Sequence, residues 1–427
     1  MRQYGLFIMV LLACACSRKP EPEPDPIEVP SQYEFLADEA PAALTKAELE
    51  SVAKINGFAF RMAGQIGSLL GEKSYVYSPV SISYCLGMVS NGAAGDTRKE
   101  MCDVLGFGEG GQQELNEFNR NLMVISQRAA AEGEVLEVAN AAVVSNTFNI
   151  FEKFKQSIKN FYDADVFVKD FAKDNVVDFV NAWAAKKTHD RIDHIIDDLD
   201  PNSVAIFMNA LYFKASWFTP FIEAFTAAET FTPRAAAPRT EMMMRRTDDM
   251  VYYSGDKFSA VRLPYGYNKG YWINDSNYSM TLVLPNAAYS TDDVIAGLDG
   301  ASWQTVQESF GRRLVELWLP RFDIEFDKEL NECFVNLGMK KAFDQAFADF
   351  SAMSDRDAYI NLIKQVANIS VDEKGTEAAA VTVTDMASEA GPGYEPPIPV
   401  PFHCDRPFIF AITEKTTGAI LFMGCYQ

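Results

Sequence analysis

The sequence lacks the catalytic signatures that most hydrolytic enzymes carry. Its 427 residues contain three histidines, His189, His194 and His403, and neither a Gly-x-Ser-x-Gly elbow nor a His-Glu-x-x-His zinc motif. His189 and His194 stand in an acidic stretch typical of a solvated surface, and His403 next to Cys404 has no third group to orient the pair. We therefore expect a protein that is not an enzyme and that needs no metal and no cofactor.

Positive charge is also scarce. The chain has 38 lysines and arginines against 59 aspartates and glutamates, which gives a formal net charge of -21. A protein that binds nucleic acid needs a basic face to neutralise phosphates. The balance therefore disfavours nucleic acid, and polyanions in general, as partners.

Cysteines are few and poorly placed for cross-linking. There are seven, and setting aside Cys14 and Cys16 leaves an odd number at wide spacing, with no Cys-x-x-Cys pair: Cys85, Cys102, Cys333, Cys404 and Cys425. Such spacing argues against both a disulfide framework and a metal site. Cys85 lies in an apolar helical run, and we expect it to be a core side chain.

The N-terminus has the features of an export segment. Arg2 precedes a short apolar run, Leu6 to Ala13, which is too short to span a bilayer and is typical of a secretion signal. The following cysteines resemble the lipidation site of bacterial lipoproteins, and either Cys14 or Cys16 fits; a conventional cleaved signal is the alternative. We predict a signal peptide over 1–16 and an extended Pro- and acid-rich tether over 17–43. The protein would then be exported and lipid-anchored at a bacterial membrane, on the periplasmic face or the cell surface, or extracellular.

The remaining residues, 44–427, are sufficient for one large folded domain with a substantial core. A capping box at Thr45 and Glu48 predicts a helix start, and Ser78 before Pro79 predicts another. Hydrophobic patterns predict further helices over 151–162, 176–187 and 327–339, strands over 138–146, 204–217, 259–264, 279–285 and 314–326, and a hairpin over 405–424. The run over 204–217 is apolar enough to be a central strand buried on both faces.

One stretch, Val371 to Ala390, has an unusual alternation. As a strand from Thr376 onward, it would place small or uncharged side chains on one face and every charge on the other. Proline is absent until Pro392, so each residue could join a ladder, but the residues that follow are typical of a loop. A segment of this kind could change between loop and strand.

Several blocks in order resemble the serpins from about residue 45 to the end. They are Asn56-x-Phe58-x-Phe60, the Ser78-Pro79 block, Asn209-Ala-Leu-Tyr-Phe-Lys-Ala-Ser-Trp217, the hinge from Glu373 to Ala380 and the C-terminal Arg406-Pro407-Phe408 hairpin. The resemblance implies the α+β serpin fold, with about nine helices, three β-sheets of which one is large and central (sheet A), and an exposed reactive loop over about 373–401.

The resemblance also implies a suicide-substrate inhibitor. A serine or cysteine protease would cut the loop and be trapped as the acyl-enzyme while the freed loop enters sheet A. The hinge corresponds to Glu373, Gly375, Thr376, Glu377, Ala378, Ala379 and Ala380. Gly375 supplies backbone freedom, and Thr376, Ala378 and Ala380 are small on the entering face, so no charge would be buried there. From Thr376 to Glu389 the strand would span roughly 45 Å at about 3.3 Å per residue.

The family's usual cleavage position falls on the bond from Glu389 to Ala390, which suits a protease with a basic specificity pocket. Because the loop after it is long and Pro-rich, cleavage at Met386 or Tyr394 is the alternative. The family's sheet-opening cluster corresponds to Ser78, Ser81, Asn209, Trp217 and Gln365, where Gln365 replaces the usual histidine. The expected partner is a target protease in a covalent complex with a monomeric inhibitor. The competing hypothesis is a non-inhibitory serpin-fold binding or carrier protein.

Overall fold

The computed structural model describes residues 5–13, 43–130, 134–266, 277–376 and 398–427. Within these ranges there are nine α-helices, and two short 3-10 turns at Glu223–Phe225 and Lys341–Phe343. The helices are α1 (Lys46–Leu70), α2 (Pro79–Ser90), α3 (Gly95–Leu105), α4 (Gln112–Arg128), α5 (Glu152–Tyr162), α6 (Val176–Lys187), α7 (Thr291–Ala296), α8 (Gly300–Glu308) and α9 (Asn331–Asn336).

Sixteen strands complete the described secondary structure. They are β1 (Gly5–Ala13), β2 (Tyr75–Tyr77), β3 (Glu134–Ser145), β4 (Asp165–Lys169), β5 (Ser203–Ser216), β6 (Ala227–Phe231), β7 (Arg239–Ser254), β8 (Phe258–Pro264), β9 (Tyr278–Pro285), β10 (Gly311–Pro320), β11 (Phe322–Glu329), β12 (Ala358–Val371), β13 (Gly375–Thr376), β14 (Val400–His403), β15 (Phe408–Glu414) and β16 (Ile420–Tyr426).

The predicted helix starts follow from local capping chemistry. Thr45 caps α1 in a reciprocal capping box with Glu48. Ser78 caps α2 through the amide of Ser81, with Pro79 at the first helical position. Both starts are confirmed.

The strands form two sheets. The seven-stranded sheet, sheet A, contains β11, β12, β5, β3 and β4, with β1 and β13 both lying between β12 and β5. The nine-stranded sheet, sheet B, has the order β14, β10, β7, β8, β9, β15, β16, β2, with β6 paired to β7. The serpin fold expected from the resemblance is confirmed. The two smaller expected sheets are continuous in the described residues because the 16-residue β7 pairs with β6, β10 and β8 along its length.

The strand β5 is buried on both faces, as its sequence predicts. Phe207, Leu211 and Phe213 belong to the main core, which α1, α2 and sheet B share. The alternate residues Ile206 and Met208 pack in a second core beneath α6. Successive side chains of a strand point to opposite faces, so one apolar run supplies both cores.

The first strand lies in the centre of sheet A. β1 runs parallel to both β5 and β12, and Leu11 is opposite Asn209 on one side and Gln365 on the other. The expected signal segment therefore occupies the same place in sheet A as β13, between β5 and β12. None of the described helices is both long enough and apolar enough to cross a membrane.

Two sequence predictions are wrong. The single strand predicted over 314–326 is two strands in different sheets, because Pro320 has no amide proton to donate and the chain turns at Arg321. The helix predicted over 327–339 is largely absent, since β11 continues to Glu329 and α9 covers only Asn331–Asn336. The charged residues at the end of β11 suit an edge strand of sheet A.

Candidate functional site

The hinge begins with a tight turn after β12. The Asp372 carboxylate accepts hydrogen bonds from the amides of Lys374, at 2.7 Å, and Gly375, at 3.2 Å. Gly375 has φ 151°, and a Cβ atom there would lie 2.3 Å from the carbonyl oxygen of Ala215. Only glycine tolerates both the backbone angle and the close approach, so the chain can reverse and enter the sheet at this point.

After this turn, Thr376 lies inside sheet A. It is 4% exposed, and it pairs antiparallel with Ala215 of β5 and Val371 of β12. Its hydroxyl is 2.8 Å from the Tyr265 hydroxyl. The first residue of the predicted inserting strand, Thr376, therefore already has ladder partners on both sides.

Trp217 forms the wall beside this entry point. Its ring stacks on Tyr265 at 4.5 Å between centroids, and its indole nitrogen donates to the Asp372 carbonyl at 2.9 Å. Its backbone amide donates to the Lys374 carbonyl at 2.8 Å. Trp217 therefore holds the turn that leads from β12 into β13 against the end of β5.

A buried carboxylate closes the turn. Glu373 is 3% exposed, and its oxygens accept hydrogen bonds from Arg321 Nε at 2.8 and 2.9 Å and from the Thr226 hydroxyl. Burial alone would raise the pKa of Glu373, but the hydrogen bonds from Arg321 and Thr226 outweigh burial and hold that pKa below its usual range. The sequence alone does not identify Arg321 and Thr226 as partners of Glu373, because the three residues lie on separate segments that meet only in the folded protein.

The polar cluster in the middle of sheet A joins four of the five predicted residues. Ser81 donates to the Asn209 side-chain carbonyl, and Gln365 donates to the Ser78 carbonyl over 3.4 Å. The Ser78 hydroxyl also donates to the carbonyl of Leu421 at 2.7 Å. Trp217, the fifth, lies apart from them at the entry point.

Asn140 is a further member of this cluster that the sequence argument missed. Its side-chain carbonyl accepts a hydrogen bond from Asn209 at 2.8 Å. An asparagine within the Ala- and Val-rich run of β3 was the available sequence signal. Among the described residues, Gln365 Oε1 is buried without a hydrogen-bond partner, so the cluster retains one unused acceptor.

A small cavity of about 10 Å³ lies directly beyond Thr376. Phe213, Asn368, Ile369, Ser370, Ile412 and Phe422 complete its lining. Its size matches a methyl group rather than a large side chain. The next inward-facing position of the line between β5 and β12 is therefore suited to a small residue.

Several predicted site residues lie outside the described ranges: Glu377, Ala378, Ala379, Ala380, Met386, Glu389, Ala390, Tyr394, Cys14 and Cys16.

The groups considered for catalysis have ordinary structural partners. His189 contacts Glu137 at 2.8 Å, and His403 contacts Glu316 at 3.2 Å. Cys404 is fully buried, and burial raises the pKa of its thiol well above the usual range. In the ranges that the structure covers, the five cysteines are unpaired, and no group of histidine, cysteine and acidic residues could hold a metal ion.

Comparison with known proteins gives one consistent result. Residues 53–427 match the family described as Serpin (serine protease inhibitor). The chain is 29% identical to Iripin-2 of Ixodes ricinus, over 90% of this chain and 93% of that protein, and 30% identical to intracellular coagulation inhibitor 1 of Tachypleus tridentatus, over 81% and 82%. The crystal structure of the thermophilic serpin tengpin in its native state superimposes with a TM-score of 0.79 at 28% identity, covering 90% of this chain and 94% of tengpin.

Proposed function

The chain belongs to the serpin family, and we propose that it is an irreversible suicide-substrate inhibitor of serine or cysteine endopeptidases. The observation that carries the proposal is β13, which already lies between β5 and β12 with antiparallel pairing to both. The similarity to a protein named as a coagulation inhibitor supports inhibition over a binding or carrier role.

In the proposed reaction, the protease nucleophile attacks the carbonyl carbon of Glu389. An ester or thioester to the protease forms, the peptide bond breaks, and the segment that begins with the Ala390 amine leaves. The freed segment from 376 onward then adds to sheet A. Each added residue gains ladder hydrogen bonds and buries surface, so insertion is downhill and carries the protease with it.

The register of β13 determines where each inserted residue would fall. Because Thr376 is opposite Ala215 and Val371, Ala378 would fall between Phe213 and Ile369, next to the small cavity beyond Thr376. Every second residue would face the main core, as these neighbours do.

If the same register continued, Thr382 would fall between Asn209 and Gln365. A threonine hydroxyl there could donate to Gln365 Oε1, the acceptor that has no partner in the described residues. The polar cluster would then be better satisfied with the loop inserted than before, and this difference favours insertion.

The register also supports the proposed cleavage bond. Glu389 would fall opposite Ala358, which is the first residue of β12. A strand from Thr376 to Glu389 therefore uses the whole length of β12. After cleavage at Met386, the inserted strand would stop short of the first residues of β12. After cleavage at Tyr394, the inserted strand would extend past Ala358, the first residue of β12.

Insertion requires the place that β1 occupies, because an inserted Thr382 would take the position between Asn209 and Gln365 where Leu11 lies. We propose that the residues before the lipidated cysteine, which is Cys14 or Cys16, are removed on export, and this removal takes away β1. Lipid attachment at Cys14 or Cys16, a tether over 17–43, a folded domain over 44–427 and a bacterial membrane location belong to the same proposal. A single monomer would supply the whole inhibitory site.

The test is incubation of the purified protein, with and without residues 1–16, with a panel of proteases that includes a glutamyl endopeptidase. We expect a complex that survives boiling in SDS, and a released fragment whose N-terminal residue is Ala390. We expect more complex from the chain that lacks residues 1–16. A loop that every protease cuts without any covalent complex would contradict inhibition and favour the binding or carrier role.

A further inference from the structure

A groove lies between the segment that follows β5 and the outer face of β7 and β10. Its volume is about 780 Å³, and its lining includes Ile222, Phe225, Arg245, Asp248, Glu316 and Trp318. We call it the Phe225 groove. Its size suits several side chains of a binding partner.

One wall is held in position from beneath. Arg246 donates a hydrogen bond to the carbonyl oxygen of Thr219, and its guanidinium carbon lies 5.0 Å from the centre of the Phe221 ring. These contacts fix the segment that carries Ile222 and Phe225 against β7. A surface that is ordered before binding loses less entropy when a partner arrives.

The opposite wall is a row of stacked planar groups. The Arg245 guanidinium lies 4.1 Å from the centre of the Trp318 ring, and the Trp318 and His403 rings stack at 4.0 Å. Glu229 pairs with Arg245, and Glu316 lies 3.2 Å from His403. This wall is therefore an ordered stack in which Arg245 and His403 fix the position of Trp318.

The mouth of the groove exposes large apolar side chains. Phe225 is 58% exposed and Ile222 is 38% exposed. Apolar side chains grouped beside a groove are typical of interaction sites. Burial of a large apolar side chain contributes about 1.5–3 kcal/mol, so a partner that covers this pair gains appreciable binding energy.

The groove lies between the two ends of the reactive loop. The amide of Phe221 donates to the Glu373 carbonyl at 2.8 Å, which connects the first wall to the hinge. Trp318 pairs with His403 in β14, so the second wall connects to the strand that begins just after Ile398. A protease bound to the chain between these two ends would therefore lie close to this groove.

We propose that the Phe225 groove is a second contact surface for the target protease, and that it receives an apolar side chain flanked by lysine or arginine. This inference rests on the proposed inhibitory function. The preference for a basic partner follows from Asp248 and Glu316 in the lining, from the pairing of Arg245 with Glu229, and from the net charge of -21. Arg246 also lines the groove, but its guanidinium is engaged by the Thr219 carbonyl. Opposite charge on the protease would speed the encounter.

The first experiment measures the second-order rate constant for covalent complex formation with the protease that the panel identifies. The double variant Ile222→Ala, Phe225→Ala should lower this constant about tenfold, which corresponds to about 1.4 kcal/mol. The number of inhibitor molecules consumed per trapped protease should not change, because insertion is untouched. The control is Phe347→Ala, which is 66% exposed and precedes β12 at the end of that strand away from Thr376.

The second experiment tests charge. Asp248→Lys should lower the same rate constant several-fold and weaken its dependence on salt, whereas Asp355→Lys, on an exposed turn before β12, should not. Unchanged rates in both groove variants would overturn the inference while leaving the inhibitory function intact. Absence of any complex with the unaltered protein would instead overturn the function itself. A groove variant that changes only the sedimentation of the free inhibitor would assign the groove to a second copy, which also overturns the inference.

Discussion

The two sheets of the protein are built differently at their centres. In sheet B, β15 pairs with both β9 and β16, and all three strands are buried throughout. In sheet A, the line between β5 and β12 is shared by two chain segments and lies over a cluster of asparagine, serine and glutamine side chains. In the proposed mechanism, sheet B stays unchanged and sheet A accepts the new strand.

The largest effect should come from a charge at the entry point of sheet A. Thr376→Arg would bury a guanidinium between Ala215 and Val371, where no acid lies opposite it in the register. We expect covalent complex to fall at least tenfold while cleavage of the loop continues. Gel analysis of the products after incubation with the target protease measures both.

The control for this change is Thr416→Arg, in the exposed turn between β15 and β16. It adds the same charge without entering sheet A and should leave the yield of complex unchanged. Persistence of full inhibition in the Thr376→Arg variant would show that the segment does not insert.

A cavity in sheet B should instead weaken every state of the protein equally. Phe410 is fully buried and packs against Phe322 at 5.3 Å between ring centres. Phe410→Ala should cost about 3–5 kcal/mol of unfolding free energy, and the cost should be the same before and after loop cleavage. Denaturant unfolding of both forms measures it; a cost that depends on cleavage would mean that sheet B also rearranges.

The Glu373–Arg321 pair should contribute less, and only above acidic pH. Because the pKa of Glu373 is lowered in the folded state, its stabilisation is present above the unfolded value of about 4.3 and is lost as pH falls through the folded value. Arg321→Gln should cost about 2 kcal/mol at pH 7, and this cost should shrink as Glu373 becomes protonated.

Unfolding midpoints at pH 7 and pH 3 give this comparison. Arg312→Gln, which breaks an exposed pair with Asp249, is the matched control and should cost less than about 0.5 kcal/mol. A cost for Arg321→Gln that is equal at both pH values would contradict the assigned role of the carboxylate.

The smallest effect concerns Gln365. Gln365→Leu removes the unsatisfied acceptor and should change the stability of the intact protein by no more than about 1 kcal/mol. If Thr382 bonds to Gln365 after insertion, the same change should reduce the stability of the cleaved form more. Denaturant unfolding of the intact and the cleaved protein measures the stability lost in each form. Equal losses would show that Thr382 does not bond to Gln365 after insertion.

The sequence predicts those elements that depend on neighbouring residues, and it does not predict those that depend on packing between distant segments. Thr45, Ser78 and Pro79 specify helix starts through neighbours within three residues, and the apolar run of β5 specifies a central strand. The strand break at Pro320 was missed because Phe322 resumes a strand pattern at once.

The candidate site shows the same limit. The resemblance placed Ser78, Ser81, Asn209 and Gln365 in one cluster, and the structure brings them together. Arg321 and Asn140 were missed, since their partners Glu373 and Asn209 lie far away in the sequence. Long-range pairing of this kind leaves no local pattern to recognise.

The most direct measurement compares the melting temperature of intact protein with that of protein nicked in the loop over 377–397. If the severed segment becomes a strand between β5 and β12, the nicked protein should melt about 10 °C or more above the intact protein, because each new ladder bond contributes about 0.5–1.5 kcal/mol. Equal melting temperatures would show that the loop does not join sheet A and would contradict the proposed trap.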